Sequence, residues 1–221
     1  MAAKVAVVLS GCGFMDGAEI QESVFTLYFL DRAGIEFACF APDAQQLHVM
    51  NHLTGTPMDE TRNVLVESAR IARGAVQNLA KAKMEEFDAL VLPGGFGVAK
   101  NLSNFAAAGA NAEVNADFVR LVGEAVAKKK PIVAICISPA VLAAALAKVG
   151  SPAKLTIGSD AGTAEAIEKL GSSHVACPVD RAVTDEEHRI VSTPAYMLGP
   201  GPAGVGAGIE AAINQLAAWL E

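Results

Sequence analysis

Residues 131–150 of the chain read PIVAICISPAVLAAALAKVG, a short apolar run that leads into Cys136 and then into an alanine-rich segment. The run Ile132–Ile135 predicts a buried parallel strand, and Pro139–Val149 predicts the helix after it. Proline suits an early helical position, where its missing N–H leaves no hydrogen bond unmade. A cysteine at a sharp turn between strand and helix is typical of a nucleophile elbow, where the helix N-terminus favours the reactive thiolate. A small buried thiol with a packing role would give the same local pattern.

The rest of the chain continues this alternation of strand and helix. The predicted strands are Val5–Leu9, Glu36–Phe40, Ala89–Leu92 and Arg189–Ser192, with Leu155–Ile157 as a weaker one. The predicted helices are Ile20–Ala33, Thr61–Arg73, Ala112–Lys129 and Ala203–Leu220. This order predicts the α/β class with a doubly wound, mostly parallel sheet, in one domain over residues 1–221. The connection Ala41–Asp88 is long for such a fold and is interpreted as an insertion.

Composition excludes several classes of protein. The chain has 221 residues, 52% of them hydrophobic, which is typical of a compact globular protein. A net charge of −7 disfavours nucleic acid and anionic membranes as partners. The apolar stretch Ile132–Ala147 is too short to span a bilayer. The start of the chain shows no secretory signal pattern, and the four cysteines form no C-x-x-C pair, so we expect reduced thiols in the cytoplasm.

Three loops that leave apolar strands contain glycine or cysteine: Ser10–Gly13, Pro93–Gly97 and Cys136–Pro139. Ligands of open α/β sheets bind at the carboxyl ends of the strands, so these loops should lie along one rim. Glycines after a strand let backbone N–H groups approach a ligand closely, and such groups can stabilise an oxyanion. The sequence therefore predicts a site in which Pro93–Gly97 faces the Cys136 thiol.

Several segments resemble the ThiJ/PfpI superfamily, which has the flavodoxin-like, class I glutamine amidotransferase-like fold. DALVLPGGFG (residues 88–97) and PIVAICISPAVL (131–142) are similar to its two signature segments. The segments SGCGFMDGAEIQESV (10–24), CFAPDAQQLHVMNHLTG (39–55) and CPVDRAVTDEEHRIVSTPAYML (177–198) resemble the ElbB branch in particular. The resemblance covers nearly the whole chain, and the insertion at about 41–88 belongs to that branch.

The resemblance implies a role for particular residues. Cys136 would be the nucleophile, and Glu22 takes the position of the family's helix carboxylate. Glu19, one turn earlier, is the competing candidate for that position. The backbone N–H groups of Gly95 and Ile137 match the family's oxyanion hole.

The residue after Cys136 is not histidine, and neither His174 nor His188 belongs to a His-x-Glu pair. A leaving amine needs a proton donor, so peptidase and glutaminase activities are disfavoured. The branch implies instead a glutathione-independent glyoxalase that converts glyoxal to glycolate, with no metal or organic cofactor. Its substrate would be a small aldehyde or dicarbonyl, and the superfamily implies a homodimer.

Two alternatives remain open at this point. The protein could be a redox sensor or a regulatory protein linked to isoprenoid metabolism, with Cys136 oxidised reversibly. Cys12 could line the same rim as Cys136, or it could be a thiol that only packs in a turn. His48 and His52 lie one helical turn apart but lack a third ligand, so we expect no metal site.

Overall fold

The computed structural model describes residues 3–199 and 201–221. The strands, in chain order, are β1 (Lys4–Val8), β2 (Glu36–Ala41), β3 (Met50–Asn51), β4 (Thr56–Pro57), β5 (Val76–Asn78), β6 (Ala89–Leu92), β7 (Ile132–Ile135), β8 (Lys154–Leu155), β9 (Ser173–His174), β10 (Val183–Asp185) and β11 (Ile190–Thr193). The α-helices are α1 (Ile20–Arg32), α2 (Val64–Ile71), α3 (Phe96–Lys100), α4 (Phe105–Ala108), α5 (Ala116–Ala127), α6 (Ser138–Val149), α7 (Ala161–Lys169) and α8 (Pro202–Leu220).

Seven strands form the central sheet, in the order β10-β11-β7-β6-β1-β2-β5. All neighbouring pairs are parallel except β10 with β11, which is antiparallel. The α/β class and the mostly parallel sheet predicted from the sequence are therefore confirmed. The strands β1, β6 and β7 are direct neighbours at the centre, which brings the loops at their carboxyl ends together.

Helices cover both faces of the sheet, so its central strands are apolar on both sides. In β6, Leu90 faces a core cluster that contains Phe118 of α5 and Leu142 of α6. Val91 faces the opposite cluster, which contains Leu30 of α1 and Ile209 of α8. The continuous apolar runs that predicted these strands are thus explained by burial on two faces. No helix of the described ranges is both long and apolar enough to cross a membrane.

The structure differs from the predicted elements in several places. The weak strand Leu155–Ile157 is only β8, and it pairs with β9 in a separate small sheet. The predicted helix Ala112–Lys129 begins later, at Ala116, because the Asn115 side chain caps it by accepting the N–H of Phe118 at 3.1 Å. The connection 41–88 contains a short hairpin (β3 and β4), the helix α2 and the strand β5, which extends the central sheet; of these, the sequence predicted only the helix.

Candidate active site

The three glycine- and cysteine-bearing loops meet above the centre of the sheet. The N–H of Glu19 donates to the carbonyl of Gly94 at 2.9 Å, and the N–H of Gly97 donates to that of Gly17 at 2.9 Å. A Cβ on Gly95 would lie 2.3 Å from the nitrogen of Glu19, so only glycine permits this backbone contact. The loops are therefore held together through their main chains, which fixes the direction of their N–H groups.

Cys136 occupies the turn between β7 and α6 with a φ of +64°. This left-handed conformation is strained for a non-glycine residue and is found at functional sites. The N–H of Cys136 donates to the carbonyl of Thr193 at 2.9 Å, and the Ser138 hydroxyl donates to the carbonyl of Pro93 at 2.7 Å. These bonds hold the turn in the geometry of a nucleophile elbow, with the Cys136 side chain only 7% exposed.

The carboxyl of Glu22 lies beside the thiol of Cys136. Glu22 is completely buried, and its Oε1 accepts the N–H of Tyr196 at 3.1 Å. Its Oε2 makes no hydrogen bond of ordinary geometry within the described ranges and faces Gly94 and Cys136. A Cβ on Gly94 would lie 2.5 Å from that oxygen and 2.4 Å from the Cβ of Cys136. Only the absent side chain of Gly94 leaves room for the carboxyl and the thiol to meet.

Burial controls the protonation of this pair. Desolvation raises the pKa of Glu22 to about 8, against the lowering effect of the Tyr196 N–H. Desolvation, and then the charge of Glu22, raise the pKa of the Cys136 thiol well above its usual value, while the N–H groups of Gly95 and Ile137 oppose this rise. The expectation that the helix N-terminus holds a thiolate is therefore wrong for the resting state. At neutral pH both members of the pair carry a proton, because the loss of hydration outweighs the helix N-terminus.

Glu19 has a different position from Glu22. It is the N-cap of α1, and its carboxylate accepts the N–H of Glu22 at 2.6 Å. Burial raises the pKa of Glu19, and the hydrogen bonds that its carboxylate accepts from backbone N–H groups oppose this rise. Its side chain lines the cavity, whereas Glu22 lies behind Gly94 against Cys136. Of the two candidates, Glu22 is thus the carboxyl that meets the thiol.

A cavity of about 350 Å³ opens onto Cys136, and its surface is mainly apolar. It is lined by Phe14, Glu19, Gly95, Phe96, Cys136, Ile137, Asp160, Thr163, Tyr196 and Met197. The sequence prediction missed the two aromatic rings at the mouth and the contributions of α7 and the Ala195–Met197 turn. A local signal for that turn was available in the sequence: the segment STPAYML (residues 192–198), at the end of a predicted strand, resembles the family. Ala195 has a left-handed backbone conformation with a φ of +42°. This conformation points the N–H of the next residue, Tyr196, at the carboxyl of Glu22.

Cys12 is not among the described residues that line this cavity. Burial raises the pKa of the Cys12 thiol, and the carboxylate of Glu67 raises it further. Since Glu67 belongs to α2, the Cys12 thiol lies near that helix. The suggestion that Cys12 lines the same rim as Cys136 therefore finds no support in the cavity. All four cysteines are free thiols.

The two late histidines have structural partners. His174 accepts the N–H of Ile157 through Nε2 at 3.3 Å, and His188 pairs with Asp185 at 3.1 Å. Neither lines the cavity in front of Cys136. Across residues 3–199 and 201–221, no three His, Cys, Asp or Glu side chains converge as metal ligands would.

Comparison with known proteins agrees with this geometry. Residues 4–192 match the model of the DJ-1/PfpI family. The chain is 47% identical over 205 residues to the rat ES1 protein homolog, mitochondrial, covering 88% of this chain and 76% of that protein. It is also 47% identical over 206 residues to the human glutamine amidotransferase-like class 1 domain-containing protein 3, mitochondrial, covering 89% and 75% of the two chains.

Solved structures show the same fold. A crystal structure of an isoprenoid biosynthesis protein with amidotransferase-like domain from Ehrlichia chaffeensis superposes with a TM-score of 0.93. It is 44% identical in sequence, and the match covers all of both chains. Drosophila melanogaster DJ-1beta, at 21% identity and a TM-score of 0.55, shares the fold over all of this chain and 98% of its own. With an elbow cysteine, a buried carboxyl beside it and a family match over most of its length, the chain belongs to the DJ-1/PfpI family.

Proposed function

We propose that the protein is a cofactor-free, glyoxalase-like enzyme that converts glyoxal to glycolate. Cys136 is the nucleophile of this reaction and Glu22 moves the protons. The observation that supports the proposal most strongly is the contact of the buried Glu22 carboxyl with the Cys136 thiol across Gly94. A carboxyl with a pKa of about 8 can both accept and return a proton near neutral pH.

In the first step, the sulfur of Cys136 adds to one aldehyde carbon of glyoxal. The carboxylate form of Glu22 accepts the thiol proton as the C–S bond forms, which avoids a free thiolate in a buried place. The carbonyl π bond breaks, and its electron pair becomes an oxyanion that faces the N–H groups of Gly95 and Ile137. Glu22 then returns the proton to this oxygen, which gives a hemithioacetal and restores the carboxylate.

In the second step, the proton on the carbon bound to sulfur is transferred to the neighbouring carbon. Glu22 removes it, and the electron pair forms a carbon–carbon double bond while the second carbonyl becomes an enolate oxygen. Glu22 then gives the proton to the second carbon, and the hydroxyl proton on the first carbon's oxygen moves to the enolate oxygen, which gives a glycolyl thioester on Cys136. One carbon is oxidised and the other reduced, so no external oxidant or reductant takes part.

In the last step, water attacks the thioester carbonyl and the second oxyanion forms at the same two N–H groups. The C–S bond breaks, the sulfur of Cys136 regains its proton, and glycolate leaves. The net reaction is glyoxal plus water to glycolic acid. No group is expelled that needs a strong proton donor, which suits a cavity whose described lining contains no histidine.

The alternative is a redox sensor that responds through Cys136. Sensor cysteines are accessible and have a low pKa, because the thiolate is the form that peroxide oxidises. Cys136 is 7% exposed, and burial raises its pKa. Both features disfavour sensing. The Ehrlichia protein is described as an isoprenoid biosynthesis protein, with nothing said of regulation.

The proposal is tested by steady-state turnover of glyoxal, methylglyoxal and glutamine. We expect turnover of glyoxal, none of glutamine, loss of turnover in Cys136→Ala and a severe decrease in Glu22→Gln. A catalytic efficiency far under about 10⁴ M⁻¹s⁻¹ would favour the sensor. Full activity of Cys136→Ala would refute the mechanism.

We also propose that the protein is a homodimer in a reducing compartment, such as the cytoplasm. The exposed face of α1 carries Ile20, Val24 and Tyr28 at helical spacing, an apolar stripe that a second copy would cover. Sedimentation should show a dimer that Val24→Lys dissociates and that Val66→Lys, on the exposed face of α2, leaves intact. The rat and human relatives are named as mitochondrial, and any compartment that keeps Cys136 reduced meets the chemical requirement.

A further inference from the structure

The cavity in front of Cys136 is much larger than glyoxal, which has only two carbons and two oxygens. Its volume of about 350 Å³ falls within the range of roughly 300–1,000 Å³ of pockets that enclose drug-sized ligands. A two-carbon substrate would leave most of this space to water. The remaining volume therefore has the size of a substituent on the reacting carbonyl compound.

The walls of the cavity are suited to an apolar substituent. Phe14 and Phe96 lie at the mouth with their side chains about half exposed, and the N–H of Phe96 donates to the carbonyl of Phe14 at 2.8 Å. Ile137 and Met197 add further apolar surface. Exposed aromatic rings beside a cavity gain free energy when a ligand covers them.

The charges of the lining have one sign. Its ionisable carboxyls are Glu19 and Asp160, and none of the described lining residues is Lys, Arg or His. Asp160 caps α7 by accepting the N–H of Thr163 at 2.8 Å, and hydrogen bonds from Thr163 hold the pKa of Asp160 below its usual value. An anionic substrate would thus meet a fixed negative charge.

The positive charge of Lys100 lies near the mouth but is engaged elsewhere. Its Nζ lies 5.4 Å from the centroid of the Phe96 ring and donates to the carbonyl of Met15 at 2.8 Å. Lys100 does not line the cavity. It stabilises the ring and the loop that form the wall, and it is not placed as a receptor for a carboxylate.

We infer that the site is built for a neutral or cationic 2-oxoaldehyde with an aromatic or branched apolar substituent, and that Asp160 and the two phenylalanine rings select it. This inference rests on the proposed function, in that Cys136 is the reacting atom. The reacting aldehyde would lie between the thiol and the N–H groups of Gly95 and Ile137. The substituent would extend between Phe14 and Phe96.

The charge selection is tested on the whole protein by alkylation of Cys136, which requires no turnover. Iodoacetamide and iodoacetate differ mainly in charge, and peptide mass spectrometry follows Cys136 separately from the other cysteines. After normalisation to N-acetylcysteine, we expect iodoacetate to react about fivefold more slowly than iodoacetamide, as repulsion between two nearby unit charges predicts. The ratio should approach one in Asp160→Asn, which keeps the helix cap, and should narrow at high salt.

The apolar selection is tested with N-phenyliodoacetamide against iodoacetamide. We expect Cys136 to favour the phenyl reagent by about tenfold, since a well-fitted apolar group gives discrimination of at least this order. Phe14→Ala and Phe96→Ala should each reduce this preference. The control is Phe37→Ala, an exposed ring on β2 outside the cavity, which should leave it unchanged.

Turnover then separates the inference from the proposed function. We expect a kcat/KM for phenylglyoxal about tenfold above that for glyoxal, and a lower value for 4-carboxyphenylglyoxal. Selective alkylation without any turnover would refute the glyoxalase proposal and leave the cavity assignment standing. Turnover of glyoxal with equal alkylation rates for all three reagents, or no alkylation of Cys136 by any of them, would overturn the inference.

Discussion

The protonation of Glu22 predicts a specific dependence of stability on pH. The pKa of this buried carboxyl is raised from 4.5 to about 8 in the folded protein, a difference of about 3.5 units. Between these two values the unfolded chain has lost the proton while the folded protein keeps it. The folded state is therefore stabilised by the proton at low pH, and this stabilisation is lost as the pH rises through about 8.

The magnitude follows from proton linkage. Where the folded state binds one more proton than the unfolded state, the free energy of unfolding falls by about 1.4 kcal/mol per pH unit. Over the whole window the loss amounts to about 5 kcal/mol. The Glu22→Gln variant keeps an acceptor for the Tyr196 N–H but has no proton to lose, so this part of the dependence should disappear.

The assay is urea unfolding at pH 5.5, 6.5 and 7.5, followed by the fluorescence of Trp219, the single tryptophan. The stability of Glu22→Gln relative to the natural protein should rise by about 3 kcal/mol from pH 5.5 to 7.5. Glu168→Gln, at an exposed position on α7, is the control and should behave as the natural protein. A difference that stays constant across this range would show that Glu22 is not protonated in the folded state, and the proposed proton transfers would lose their basis.

Three further predictions concern activity and reactivity. Gly94→Ala should abolish glyoxal turnover and destabilise the fold by about 1–3 kcal/mol, because the new Cβ would fall between Cys136 and Glu22; turnover within tenfold of the natural rate would contradict the packing described here. The kcat/KM for glyoxal should rise about tenfold per pH unit below an apparent pKa near 8, since the carboxylate form of Glu22 accepts the thiol proton; a flat profile from pH 6 to 8 would argue against this role. Mild peroxide should oxidise Cys136 no faster than N-acetylcysteine, because burial keeps the thiol protonated; rapid oxidation measured by mass spectrometry would favour the sensor.

The central strands were predictable because a strand buried on both faces has a continuous run of apolar residues. Ala89–Leu92 and Ile132–Ile135 have the same bounds in the prediction and in the structure. The edge strand Val76–Asn78 was missed, since it is short and polar at its centre and pairs with β2 alone. The helix Ala161–Lys169 was missed because it buries only Ile167 and so lacks an apolar stripe.

The parts of the site that short sequence motifs encode, the elbow cysteine and the backbone donors, were predictable. The turn at Cys136 and the glycines after β6 indicated an elbow and backbone donors before any coordinates. The choice between Glu19 and Glu22 needed the fold, because both lie at the start of α1 and only the close approach at Gly94 separates them. The protonation of Cys136 was predicted with the wrong sign, since the sequence shows the helix N-terminus but not the depth of burial.

The account is tested most directly by the reaction of glyoxal in deuterium oxide, followed by NMR of the product. Proton transfer through Glu22 and an enediol predicts a fraction of glycolate that carries solvent deuterium on its hydroxymethyl carbon, from turnovers in which the Glu22 proton exchanges with water before its return, and no glycolate from Cys136→Ala. Glycolate formed at an undiminished rate by Cys136→Ala would contradict it.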